Sequence, residues 1–142
     1  MYLHRPRLLR ALQEGLPEGV LVHAPAGFGK TLLLKSFAEA KGLPYRRDWS
    51  PEPGCYDLRK PPPEVLPGQV VAARQARLPA LHRLGPEDLA FTPEEVAARA
   101  LGQHLCCVAL TDHDTVEGCA PMVGACARAG LEFITGMELT CE

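Results

Sequence analysis

The chain has 142 residues, a formal net charge of −2 and 46% hydrophobic residues, enough for about one domain of ordinary size. No apolar run is long enough to cross a membrane and no secretory leader is evident, so a reduced, cytoplasmic setting is expected. Its six cysteines (Cys55, Cys106, Cys107, Cys119, Cys126 and Cys141) form no C-x-x-C pair, which excludes a zinc ribbon.

In chain order, residues 6–15 read as a helix and 20–24 as a short apolar strand. The run Gly19-Val20-Leu21-Val22-His23-Ala24-Pro25-Ala26-Gly27-Phe28-Gly29-Lys30-Thr31 then passes from strand to small-residue loop to helix. That order suits a phosphate-binding P-loop. The loop's N–H groups wrap a phosphate, and the following helix adds its unpaired N–H groups and the positive end of its dipole. Gly27 and Gly29 let the backbone turn and approach the oxygens. Lys30 is read as bridging the β- and γ-phosphates of ATP, and the Thr31 hydroxyl as a ligand of Mg²⁺. Ala24 stands where the G-x-x-x-x-G-K-[ST] pattern has its first glycine, and Phe28 lies within the loop. The alternative is a Gly-rich turn capping an amphipathic helix, with Lys30 solvated.

A helix over 30–41 and a strand over 44–47 follow. Ten of the 14 prolines fall between Pro44 and Pro93, so residues 48–67 are expected to form a proline-rich loop, pinned by Trp49 and Tyr56. Arg46-Arg47 is read as part of that solvated loop, with a phosphate-facing patch as the alternative. A strand at 69–73, a helix at 93–102, a strand at 105–111, a helix at 116–129 and a strand at 131–135 complete the chain. Pro121 is placed in the first turn of its helix. Strands alternating with helices imply an α/β fold with a largely parallel sheet. An incomplete sheet would leave unpaired edges, through which oligomerisation is expected.

Residues 4–97 resemble the P-loop ATPase module of signal-transduction regulators of the maltose-regulator type, within the AAA-related superfamily. The resemblance is carried by Arg5-Pro6-Arg7-Leu8-Leu9, Ala24 through Thr31, Val70-Val71-Ala72-Ala73-Arg74, Leu78-Pro79-Ala80-Leu81 and the segment Leu84 to Glu95. It implies ATP binding with Mg²⁺, places Arg5 near the adenine, and puts Arg74 in a sensor-like place. Such modules also carry an apolar strand ending in Asp, which holds Mg²⁺. The nearest candidate, Cys55-Tyr56-Asp57, reads as too brief for a buried strand, so ATP binding is expected and hydrolysis is not.

Leu105-Cys106-Cys107-Val108-Ala109-Leu110 reads as a buried strand with both cysteines inside it. It runs into Thr111-Asp112-His113-Asp114-Thr115, and the later strand runs into Gly136-Met137-Glu138. Strand, helix and strand ending in ligand-type residues suit a metal site at the C-terminal face of a barrel-like α/β enzyme. Residues 92–142 resemble the polymerase-and-histidinol-phosphatase (PHP) family of metal-dependent phosphoesterases, through Thr92-Pro93-Glu94-Glu95, Ala109 to Thr115 and Gly136 to Leu139. The resemblance makes His113 a metal ligand, Glu138 a bridging carboxylate and Asp112 a ligand or orienter of Mn²⁺ or Zn²⁺. Asp112 and His113 would then act on a phosphoester substrate. Asp114 is a weaker candidate. The family's His-x-His is absent, so the site is read as incomplete. A further alternative makes Asp112 the Mg²⁺ partner of Lys30 and Thr31.

The chain thus reads as a nucleotide-binding segment, 1–91, joined to an incomplete phosphoesterase-like segment, 92–142; the alternatives are a metal-dependent phosphoesterase and a non-catalytic fragment or regulatory remnant. Charge divides similarly. Through Gly85 there are 13 Lys/Arg against 7 Asp/Glu, a net of +6, and from Pro86 there are 2 against 10, a net of −8. The basic residues are dispersed and have no aromatic platform between them, so no nucleic-acid surface is expected.

Overall fold

The computed structural model describes residues 5–58, 62–74 and 78–141. The chain divides into two compact units, Met1–Ala90 and Phe91–Glu142. Both are α/β, and every described strand pair is parallel.

In the first unit, α1 (Pro6–Gly15) begins with proline at its first position, where a missing N–H costs nothing. Leu8 and Leu12, one turn apart, form its buried face. Strand β1 (Val20–His23) leads through the glycine loop into α2 (Lys30–Lys41). Gly29 and Gly42 stand in the left-handed region at the two ends of α2, and the Gly42 N–H closes on the carbonyls of Ala38 and Glu39. Leu33, Leu34, Phe37 and Ala38 bury the face of α2 that meets the sheet.

Four further strands complete that sheet: β2 (Tyr45–Arg46), β3 (Gly54–Asp57), β4 (Gln69–Ala73) and β5 (His82–Leu84), in the order β2-β3-β4-β1-β5. The glycine-loop strand β1 is central, paired with β4 on one side and β5 on the other. Strand alternation sends Val20, Val22, Cys55, Val70 and Ala72 into the core under α1 and α2. Leu21, Tyr56, Val71 and Ala73 form a second core with Leu58, Val65 and Leu78 from connecting segments. A short helix α3 (Pro86–Leu89) closes the unit, with the Asp88 carboxylate accepting the Gly85 N–H at 2.9 Å.

Strand β3 corrects the reading of Cys55-Tyr56-Asp57 as too brief for a buried strand. It lies between β2 and β4, and Cys55 and Tyr56 are fully buried. Pairing on both edges satisfies its backbone, so four residues suffice. The expected loop over 48–67 is therefore interrupted by a strand, and Trp49 does pack on Tyr56, with ring centroids 5.5 Å apart.

In the second unit, α4 (Pro93–Gly102) opens with a capping box. Thr92 Oγ1 accepts the Glu95 N–H at 3.2 Å, and the Glu95 carboxylate accepts the Thr92 N–H at 3.0 Å. Strand β6 (Cys107–His113), helix α5 (Cys119–Ala129) and strand β7 (Glu132–Glu138) form one crossover unit. Ala97, Ala100, Met122, Ala125, Cys126 and Leu131 form its core, with Val108, Leu110 and Phe133 packed against it. The run 105–110, expected as a buried strand, starts later and is half exposed, with Cys106 outside it and exposed. Two strands with helices on one face leave the other face uncovered among the described residues, so alternate positions of β6 stay in solvent. No described helix is long and apolar enough to cross a membrane.

Candidate functional site

The glycine loop opens at the carboxyl end of β1. Ala24 is buried and donates its N–H to the Ala73 carbonyl at 3.4 Å, which ties the loop to β4. Gly27 and Gly29 have φ of +89° and +73°, and a Cβ at either would meet nothing within 4 Å. Backbone conformation rather than crowding therefore demands glycine there, and the space beside both is open for a ligand. Lys30 turns back over the loop, donating to the carbonyls of Ala24 at 2.7 Å and Pro25 at 2.6 Å. An ammonium has three donors, so one remains for the cleft. Burial lowers the Lys30 pKa and Arg74 lowers it further, while Asp57 pulls it up.

The Thr31 hydroxyl, at the second position of α2, donates to the Asp57 carboxylate at the carboxyl end of β3. That contact crosses β4, because β3 is one strand removed from β1. A hydroxyl and a carboxylate set side by side are hard oxygen donors of the kind Mg²⁺ takes. The carboxylate that Thr31 reaches is Asp57.

Around this pair lies a cavity of about 1050 Å³. Its walls include Gly27, Gly29, Lys30 and Thr31 from the loop and α2, Asp57 from β3, and Arg74 beyond β4. Arg47, Asp48 and Trp49, following β2, supply the opposite wall. Phe28 is exposed and is not part of that wall. Arg5, set beside the adenine by resemblance, is instead buried, donating to the carbonyls of Leu89 at 2.8 Å and Ala90 at 2.9 Å. Its guanidinium anchors the start of α1 to the end of α3, away from the cavity lining.

In the second unit, the parallel register sets His113 beside Glu138, with Nε2 3.5 Å from Oε2. Both side chains are exposed. Asp112 does not join them. Successive residues of a strand point to opposite faces, so Asp112 is turned away from its neighbour. A Cβ added at Gly118 would lie 2.7 Å from its Oδ2, which places Asp112 against the β6–α5 connection. Asp114 is occupied differently. Its carboxylate accepts the Thr140 N–H at 2.8 Å and the Thr140 hydroxyl at 2.5 Å, and these bonds hold its pKa below the usual value. Among the described residues, no three His, Cys, Asp or Glu side chains gather closely enough to hold a metal ion. Of Asp112, His113 and Glu138, the described structure sets His113 and Glu138 side by side.

Comparison with known proteins finds short similarities of two kinds. The chain is 43% identical over 53 residues to the 3',5'-nucleoside bisphosphate phosphatase of Chromobacterium violaceum, covering 37% of this chain and 19% of that protein. It is 43% identical over 44 residues to the ATP-dependent zinc metalloprotease FtsH 2 of Symbiobacterium thermophilum, covering 31% of this chain and 8% of that protein. A similar match, 41% over 44 residues, is to FtsH 1 of Conexibacter woesei, covering 31% of this chain and 7% of that protein. The chain thus spans under a fifth of the length of the curated relatives it matches. No family model matches it, and no solved structure matches it significantly.

Proposed function

We propose that the first unit binds a nucleoside triphosphate with Mg²⁺. The Gly27–Thr31 backbone and Lys30 would take the phosphates, and Thr31 with Asp57 would hold the ion. Magnesium, when bound there, supplies positive charge that neutralises adjacent phosphate oxygens. The observation that carries this reading is the Thr31–Asp57 contact at the mouth of the glycine loop. The short similarity to ATP-dependent proteases supports it. Asp57 is followed by Leu58, so the second acid that often accompanies such an Asp in these ATPases is missing, and binding with little turnover is expected. Calorimetric titration of Mg-ATP into the wild type and Lys30→Ala tests it. Micromolar binding lost in the variant is expected, and a folded wild type that takes up no nucleotide refutes the proposal.

A second reading makes residues 92–142 a phosphoesterase segment. It is favoured by the similarity to the bisphosphate phosphatase and by the His113–Glu138 pair. Among the described residues no third ligand joins the pair, and two ligands give weak metal affinity and no hydrolytic centre. Weak Mn²⁺ binding abolished by His113→Ala is expected, with no release of phosphate from p-nitrophenyl phosphate. Metal-dependent release would restore the full phosphatase assignment.

A further inference from the structure

The nucleotide reading accounts for Lys30, Thr31 and Asp57 but not for the wall of the cavity contributed by Arg47, Asp48 and Trp49. Arg47 lies in an exposed bend directly after β2, as the solvated-loop reading has it, but its surroundings are fixed. Strand β2 pairs in parallel with β3, Tyr45 opposite Cys55 and Arg46 opposite Tyr56. Arg47 is the residue that follows this pairing on β2, as Asp57 follows it on β3. Tyr45 packs with Cys55 against the core under α2. The Tyr45 hydroxyl oxygen is buried, close to both the Arg47 guanidinium and the Asp57 carboxylate.

The chain on either side is tied down. Arg46 pairs with Glu52 at 3.2 Å, and Trp49 rests against the fully buried Tyr56. Among the described residues, three cations, Lys30, Arg47 and Arg74, and two carboxylates, Asp48 and Asp57, line one cavity. Mg²⁺ engages Asp57 in the nucleotide reading, and Lys30 sits on the loop. That leaves positive charge on the far wall, beyond the metal, where the last phosphate of a triphosphate would emerge.

We propose that Arg47 is the cation that meets the terminal phosphate, so that the cavity selects nucleoside triphosphates over diphosphates. The inference rests on the nucleotide reading and adds a specificity-determining residue to it. A guanidinium presents a planar fork of donors suited to phosphate oxygens, which a lysine does not. A diphosphate lacks the group that Arg47 meets.

Trp49 is the chain's single tryptophan and lies in the same wall, so its fluorescence reports occupancy. Mg-ATP and Mg-ADP are titrated into the full chain, wild type, Arg47→Ala, Arg47→Lys and Lys30→Ala, with calorimetry as a second readout. The wild type should prefer ATP. Arg47→Ala should lose about 10- to 100-fold in ATP affinity, the range of a charge-assisted hydrogen bond, and under about 3-fold in ADP affinity. Arg47→Lys should fall between, and it decides the matter by the same ATP-to-ADP ratio if the alanine variant fails to fold. Equal effects on both nucleotides, or none on either, overturn the role of Arg47 while leaving the nucleotide reading intact. Nucleotide binding that survives Lys30→Ala, or none by the wild type, overturns both.

Discussion

Asp57→Asn replaces a carboxylate by an amide of the same shape at a position that joins the start of α2 to β3. The Thr31 hydroxyl can still donate to the amide oxygen, and Asp57 is half-buried at a strand end, so stability should change by under about 1 kcal/mol. What is lost is charge. An interaction with an ionised partner is worth about 1.5–3 kcal/mol, or roughly 10- to 150-fold in affinity. Apparent ATP affinity in excess Mg²⁺ should fall by that factor. In EDTA the variant should bind ATP at least as well as the wild type, because a negative charge near the phosphates has gone. Paired calorimetric titrations with and without Mg²⁺ measure both arms. An Mg²⁺ dependence unchanged by Asp57→Asn would refute the assignment of Asp57 as the metal's carboxylate.

Other consequences can be checked separately. Burial pushes the Cys55 thiol up to about 12, above about 8.5 in the unfolded chain, so the fold favours the protonated form. Its contribution is complete below about pH 8.5 and is lost as pH rises toward 12; urea midpoints at pH 8 and 10.5 should converge in Cys55→Ala. Asp114 titrates below its ordinary value because of Thr140, so its contribution is present above about pH 4 and lost as pH falls further. Thr140→Val should move the Asp114 carboxyl back toward that value in an NMR titration. Gly19 has φ +94°, and a Cβ there would stand 2.6 Å from the Leu66 carbonyl oxygen, whereas Gly42 at φ +63° has nothing within 4 Å. Gly42→Ala should cost about 1 kcal/mol and Gly19→Ala over about 2, read as the larger fall in melting temperature.

The glycine loop was legible because its conformation demands particular residue types. Positive φ at Gly27 and Gly29, and a left-handed stop at Gly42, translate directly into letters, and the span 30–41 follows from them. Strand β3 was not, since four residues buried on both faces have no period to detect and sit among prolines that argue for a loop. Its Asp57 consequently carries no sequence signal as a strand-end carboxylate. The Thr92–Glu95 capping box carried a readable S/T-x-x-E signal whose structural use was missed. That Asp112 and His113 leave β6 on opposite faces follows from strand alternation, which adjacency in the chain hides.

Strand β1 has no local partner. Val20 pairs with Val70 and with His82, 50 and 62 residues onward, so the strand that carries the loop is placed only after most of the unit has been recruited. Thr31 and Asp57 meet on the same terms, through β4. A half-folded first unit therefore has no weakened version of the cavity; it has none. Any molecule that occupies the finished cavity must then stabilise the unit as a whole, by about 2.7 kcal/mol at a hundred times its dissociation constant. In a cell, supply of that molecule would govern how long the chain survives proteolysis as well as how often the cavity is filled.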